Sequence, residues 1–370
     1  MVNWDKFRQD FPVTINYTYL ANAAATPIPK PVYDEVRKFY DDILNQGDVP
    51  WDEWLKKIEQ TREAYARFIG ANSEEIAFTH STSEGMNIIA HMLTPKGQVL
   101  SNNLEFPSSN LPWLNSGADF KLIKSRGGKI LIEDILAKVN NKTKTILTSH
   151  VQYSTGYRQN LTELSKVTKN RGLYLVVNAT QSLGALKFNV KDFDIDFMAS
   201  DGHKWIMSSY GIGVLFVRKK HLQSTEFKIP FFSQLGQVNI NRFDNSKLDI
   251  SGTASRFELG SPHFPNIFCL NAALRYISSI GINIIESRIL KLTDYLIERL
   301  HKLKVPILSP LEKKHRSGIV VFKIKNSKNA VKKLEKEKII VSARGGGIRV
   351  SPHFYNNEND IDKLISALKI

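Results

Sequence analysis

The sequence predicts an α/β protein, with a large domain built on a mainly parallel sheet between helices and a smaller α+β C-terminal domain. Three observations carry this. Short runs rich in β-branched and aromatic residues alternate with helical stretches up to about residue 220, the pattern of strands joined by crossover helices. After about residue 245 the helical stretches lengthen and the strands become few. The chain has 370 residues, more than one typical domain holds, so two are expected, at 16–245 and 246–370, with residues 1–15 packing on the smaller one.

In chain order, Val32, Val36, Phe39, Tyr40 and Ile43 recur at helical spacing behind Pro31, a residue suited to a first turn, which predicts a helix over 31–45. Residues 76–79 read as a strand and 83–93 as a helix. After the Pro95-Lys-Gly97 break, 98–101 read as the next strand. Strands follow at 145–148, 173–178, 195–199 and 213–217, with a helix at 161–171. The second half predicts a long helix over 284–303, strands at 318–322 and 338–341, and a closing helix over 358–368. In such sheets ligands bind beyond the carboxyl ends of the strands. Ser81, Tyr153, Asn178 and Lys204 all fall at or just after those ends.

Composition narrows the function. With 42% hydrophobic and 24% charged residues, the chain has the make-up of a soluble protein, and its apolar runs are strand-sized, far short of the roughly 20 residues of a membrane helix. The first residues, Met1-Val-Asn-Trp-Asp-Lys-Phe7, carry no apolar signal region, so a cytoplasmic location is expected. The single cysteine, Cys269, excludes an internal disulfide and any multi-cysteine metal site; no metal is expected. A net charge of +15 raises a nucleic-acid alternative. The densest basic stretch, 323–338, interleaves acidic and apolar residues and reads as a solvated helix face, so nucleic acid is not the expected partner.

The chemistry centres on Ile195-Asp-Phe-Met-Ala-Ser-Asp-Gly-His-Lys204-Trp205. A strand ends here in small and polar residues and delivers a lysine. By itself such a lysine is most often a solvated surface charge; the alternative is an amine tuned to form a Schiff base with an aldehyde cofactor. Its company favours the second: Ser81-Thr-Ser-Glu-Gly85, Asn178-Ala-Thr-Gln181 and Arg349-Val-Ser-Pro-His-Phe-Tyr355 lie where an alternating chain can gather them. Ser81 to Glu84 read as a helix N-cap, and a cap is compatible with binding a phosphate.

These motifs, with Tyr19-Leu-Ala-Asn-Ala-Ala-Ala-Thr26, resemble the class V aminotransferase group of fold-type I pyridoxal-phosphate enzymes, which includes cysteine desulfurases, isopenicillin-N-epimerase-like proteins and kynureninase. The resemblance implies that Lys204 holds the cofactor and shuttles the substrate proton. It implies that Thr82, Ser83, Ser200 and His203 hold the phosphate and that Gln181 lies beside the phenolic oxygen. Phe106, in Glu105-Phe-Pro-Ser-Ser-Asn-Leu-Pro-Trp113, is the candidate for stacking on the ring; its own pattern suits a core role as well. Arg349, assisted by Asn22, would clamp the substrate carboxylate. Arg256-Phe-Glu-Leu-Gly-Ser261 resembles a segment given to the partner's phosphate, which implies a homodimer.

Two departures shape the expectation. Asn178 stands where the family usually has Asp, and a neutral amide cannot stabilise a proton on the ring nitrogen. Cofactor binding should survive while catalysis weakens, so a catalytically weak homologue is a second expectation. No cysteine lies between Leu334 and Gly347, where desulfurases need a nucleophile, and Cys269 sits in a helical apolar pattern. Gly345-Gly-Gly347 reads as a flexible loop open to a ligand, or as a plain turn. Transamination of an amino acid leads; epimerisation and β-elimination begin with the same proton removal.

Overall fold

Alternate residues of Leu175-Val-Val177 face opposite sides of one sheet, and both sides are buried; this dictates the architecture. A computed structural model describes residues 2–224, 227, 229, 233–238 and 246–368. The domain boundary expected at 245 lies outside the described residues.

The chain opens with two short helices, α1 (Trp4–Arg8) and α2 (Val13–Asn16), and strand β1 (Thr18–Tyr19). Helix α3 (Lys30–Gln46) starts with proline in its first turn and ends at Gly47. Helix α4 (Trp51–Ile69) buries Trp54, Ile58, Tyr65 and Ile69, a stripe at three- and four-residue spacing, and ends at left-handed Gly70. Strand β2 (Ile76–Thr79) runs into Ser81, whose side chain caps helix α5 (Thr82–Leu93) by accepting from Glu84 N–H. Then come β3 (Gln98–Asn102), α6 (Pro107–Asn115), β4 (Phe120–Ile123), α7 (Ile132–Leu136), β5 (Thr143–Ser149), α8 (Leu161–Asn170), β6 (Tyr174–Asn178), β7 (Phe197–Asp201) and β8 (Gly213–Val217).

These form a seven-stranded sheet of order β2-β8-β7-β6-β5-β3-β4, in which β8 alone runs against the others. Helices α5 and α6 cover one face. Helices α4 and α8 cover the other, and each large apolar side chain buried in these layers contributes about 1.5–3 kcal/mol. Gly85 lets α5 press onto β7, because a Cβ there would lie 2.9 Å from that of Ala199.

After α9 (Lys219–Leu222) the described chain continues in α10 (Phe264–Ile280), which packs against α3 and α4. Helix α11 (Ile282–Lys302), β9 (Val320–Phe322), α12 (Ser327–Lys336), β10 (Ile339–Ile340), β11 (Ser342–Arg344), β12 (Gly347–Val350) and α13 (Glu358–Ala367) complete it. Strands β11, β12 and β9 form an antiparallel sheet, and β10 pairs with β1. A separate apolar core, including Leu20, Leu296, Phe322 and Ile361, lies beneath them. The N-terminal residues reach both α13 and α10: Arg8 pairs with Asp360 at 2.7 Å and Asp10 accepts from the Tyr276 hydroxyl of α10 at 2.7 Å. Among the described residues no single helix is long and apolar enough to cross a membrane.

Candidate active site

The carboxyl ends of the parallel strands open into a cleft of about 280 Å³. Ser149 closes β5, Asn178 closes β6, and Asp201 closes β7 three residues before Lys204. The start of α5 supplies Thr82 and Ser83, the start of α6 supplies Phe106, and the β11–β12 hairpin supplies Arg344 and Arg349.

Lys204 sits between two opposite charge environments. Its ammonium is 3.8 Å from the Asp201 carboxylate and 5.7 Å from the centre of the Phe106 ring, with 16% of the side chain exposed. Burial lowers its pKa; Asp201 opposes that shift and Arg349 adds to it. Met207, held at φ 62°, donates its N–H to the Lys204 carbonyl and closes the turn behind the lysine. His203 stacks on Tyr210 at 4.3 Å, and its pKa is lowered, chiefly by burial.

At one end, Asp201 accepts the Thr82 amide at 2.6 Å, so a carboxylate takes a first-turn N–H of α5. Thr82 Oγ1 pairs with Thr180 Oγ1, while Ser83 is exposed with its hydroxyl at the helix start. In the middle, Asn178 donates to Ser109 and accepts from Thr180 N–H. Gln181 donates to the Ala23 carbonyl and accepts from the Trp205 indole, tying the 20s segment to the residue after the lysine. At the far end, Arg349 is 4% exposed and donates to the Tyr153 carbonyl, and its Nε has no partner among the described residues. Burial, with Arg344 nearby, pushes its pKa down to about 10.

The cleft therefore gathers Thr82, Ser83, Phe106, Asn178, Gln181, His203, Lys204 and Arg349. Three expected residues are outside it. Ser200 is corrected: the strand's alternation turns its hydroxyl away from the cleft onto Tyr65 of α4, at 2.6 Å, and Asp201 stands at the rim instead. Asn22 is fully buried, with its amide spent on the Ser351 carbonyl and the Tyr355 hydroxyl, so it braces the Arg349 segment from behind. Ser261 is exposed and lines no part of the cleft. Phe106, 44% exposed and edge-on to Tyr153 at 5.1 Å, stands at the mouth, which removes the core role. Gly345 and Gly346 are no loose loop. Both have positive φ in a two-residue turn between paired Arg344 and Gly347, and a Cβ on Gly345 would lie 1.8 Å from the Ser154 carbonyl oxygen.

Glu105 went unread in the sequence. Buried beside Phe106, it accepts from Ser149 N–H and Oγ, Gln152 and Asn102, fixing the wall that carries Tyr153. Asp201 and Arg344 likewise carry no signal of their own in the sequence, although they adjoin the Ser200 and Gly345 motifs. Cys269 is fully buried in α10, with its thiol pKa raised by burial.

A family model described as aminotransferase class-V matches residues 18–364. An uncharacterized aminotransferase of Bacillus subtilis is 26% identical over 98% of this chain and 97% of its own length. The apo structure of a cysteine desulfurase from Thermococcus onnurineus is 28% identical, with a TM-score of 0.88 over 99% of this chain and 97% of that one. A mutant of the C-DES protein, solved with glycine covalently linked to its PLP cofactor, shares the fold at 20% identity, with a TM-score of 0.89 over 98% of each chain.

Proposed function

The chain belongs to the aminotransferase class-V family, and from that premise we propose that it is a pyridoxal-phosphate enzyme that transaminates an amino acid or related amino-carboxylate. The carrying observation is Lys204, an amine with a lowered pKa and little of its side chain exposed, at the centre of a cleft that ends in Arg349, whose Nε has no partner among the described residues. The residues fit the cofactor. Ser83 and the start of α5, with His203, would hold its phosphate, in competition with Asp201 for the Thr82 amide. Phe106 would cover the ring, Asn178 would meet the ring nitrogen without charge, Gln181 would flank the phenolic oxygen, and Lys204 would hold the aldehyde carbon.

Pyridoxal phosphate, when bound, supplies an electron sink for a bond broken at the substrate carbon. The chain does the rest. Arg349 orients the substrate carboxylate by its planar fork of donors, with Tyr153 O fixing one of its nitrogens. Lys204 Nζ, its hold on a proton weakened by burial, takes the substrate proton and returns it. It is the one amine lining the cleft among the described residues, and transamination requires one group to do both. Epimerisation and β-elimination share the first of these steps. A persulfide route has no nucleophile, because the chain's single cysteine is buried in α10. Asn178 favours a second reading, a cofactor-binding protein of weak activity. The reading includes a homodimer, in which exposed Ser261 would serve the partner's phosphate; sedimentation velocity tests this.

The protein is mixed with pyridoxal phosphate, reduced with borohydride and digested. The expected label lies on Lys204 and is absent from Lys204→Ala, and at least one amino acid shifts the visible spectrum of the unreduced protein. Absence of label at saturating cofactor refutes the cofactor assignment. Label without any spectral response leaves the weak homologue as the correct reading.

A further inference from the structure

Arg349 and Arg344 enter the same cleft from one hairpin. The register sets Ser342 opposite Arg349, so Arg344, two residues along, projects from the same face. Diagonal neighbours of this kind lie roughly 7–8 Å apart, within reach of one small ligand. The glycine turn that follows Arg344 is pressed onto the Ser154 carbonyl, so the arginine's backbone is held against the wall of the cleft. Neither guanidinium has a carboxylate partner among the described residues: Arg344 donates to its own neighbour's carbonyl at Ala343, and Arg349 to Tyr153 O. Their proximity is felt electrostatically, since Arg344 contributes to lowering the pKa of Arg349. Two like charges held together with a buried unsatisfied N–H form an incomplete arrangement. Each guanidinium carries donors only and a positive charge that no described carboxylate answers, so a ligand that meets both needs is anionic.

One arginine suffices for the carboxylate that every amino acid has. We propose that Arg344 binds a second acid group, and that the substrates of this site are amino acids with an acidic side chain, dicarboxylates first. This rests on the site assigned above, and it makes Arg344 the residue that separates acidic from neutral substrates. The exposed position of Arg344 agrees, because the side-chain acid of a substrate anchored at Arg349 points toward the mouth, where Phe106 and Tyr153 also stand.

The test uses ligands that cannot react. Calorimetric binding of glutarate and of butyrate, which is glutarate with one carboxylate replaced by hydrogen, is measured on the protein with and without pyridoxal phosphate. The variants are Arg344→Gln, Arg344→Lys and Arg349→Gln. Glutarate is expected to bind the unaltered protein about tenfold tighter than butyrate, the scale of one charge-assisted pair. Arg344→Gln should abolish that preference while leaving butyrate within about twofold, and Arg344→Lys should restore part of it. Arg349→Gln should weaken both ligands. Equal binding of the two acids to the unaltered protein overturns the proposal, as does a preference that survives Arg344→Gln. Because the readout needs neither turnover nor an attached cofactor, it separates from the test at Lys204: an unlabelled lysine with a glutarate preference would discard the cofactor assignment and keep the acid site.

Discussion

The two ends of the cleft are built by opposite means. At the α5 end a carboxylate, Asp201, already occupies a helix-start amide, so the electropositive helix terminus is partly answered from within the protein. At the hairpin end two guanidiniums face the cavity with backbone carbonyls as their only described acceptors. Lys204 lies between and responds to both, Asp201 raising and Arg349 lowering its pKa against a background of burial. One end is satisfied before any ligand arrives and the other is not, so specificity should reside at the hairpin end and cofactor tuning at the α5 end.

The largest break in this comparison comes from Glu105, which holds Gln152 next to Tyr153, the acceptor of Arg349. Glu105→Ala leaves the Ser149, Gln152 and Asn102 donors without their shared acceptor, and about 3–5 kcal/mol of stability should be lost in urea unfolding. If the variant folds, the KM for substrate should rise more than the Kd for cofactor; equal effects would show that the two ends share one support. Next in size, Arg349→Gln should lower kcat/KM by roughly a hundredfold, as expected for losing one partner of a buried charged contact, with cofactor binding unchanged.

Asp201→Asn sharpens the other end. Removing the carboxylate frees the Thr82 amide for a phosphate, and cofactor should bind about tenfold tighter. Lys204 would lose the charge that supports its protonated form, so its pKa should fall further. The pH profile for borohydride trapping of cofactor on Lys204 should therefore move to lower pH. A shift to higher pH would contradict the placement of Asp201 beside the ammonium. The smallest expected effect is at the middle: Asn178→Asp should raise turnover a few-fold by supplying the missing charge at the ring nitrogen, and an unchanged rate would show that the amide already suffices.

Much of this was legible in the sequence because it rests on local pattern. The strands at 98–102 and 213–217 and the helix at 161–170 follow from periodicity and turn residues, and Lys204, Asn178 and Thr82 follow from their positions at strand ends. What escaped depends on which way a side chain turns at a strand's last residue. Ser200 and Asp201 are adjacent, and a one-residue alternation sends the hydroxyl to Tyr65 and the acid to the cleft. Glu105 escaped for a different reason: an isolated acidic residue reads as surface unless its partners are known, and these come from 3, 44 and 47 residues away. Helix α4, with its stripe from Trp54 to Ile69, was the one long periodic element left unread.

The hydrogen bond from Arg349 to Tyr153 spans 196 residues of chain. During synthesis the lysine and the sheet around it leave the ribosome well before the hairpin that finishes the cleft. Folding of the growing chain proceeds from its N-terminal side, and contacts this distant in sequence are among the last and slowest to form. The lysine and its strand thus exist before the strands that carry Arg344 and Arg349, and the cleft gains its second end only when residues 342–350 dock.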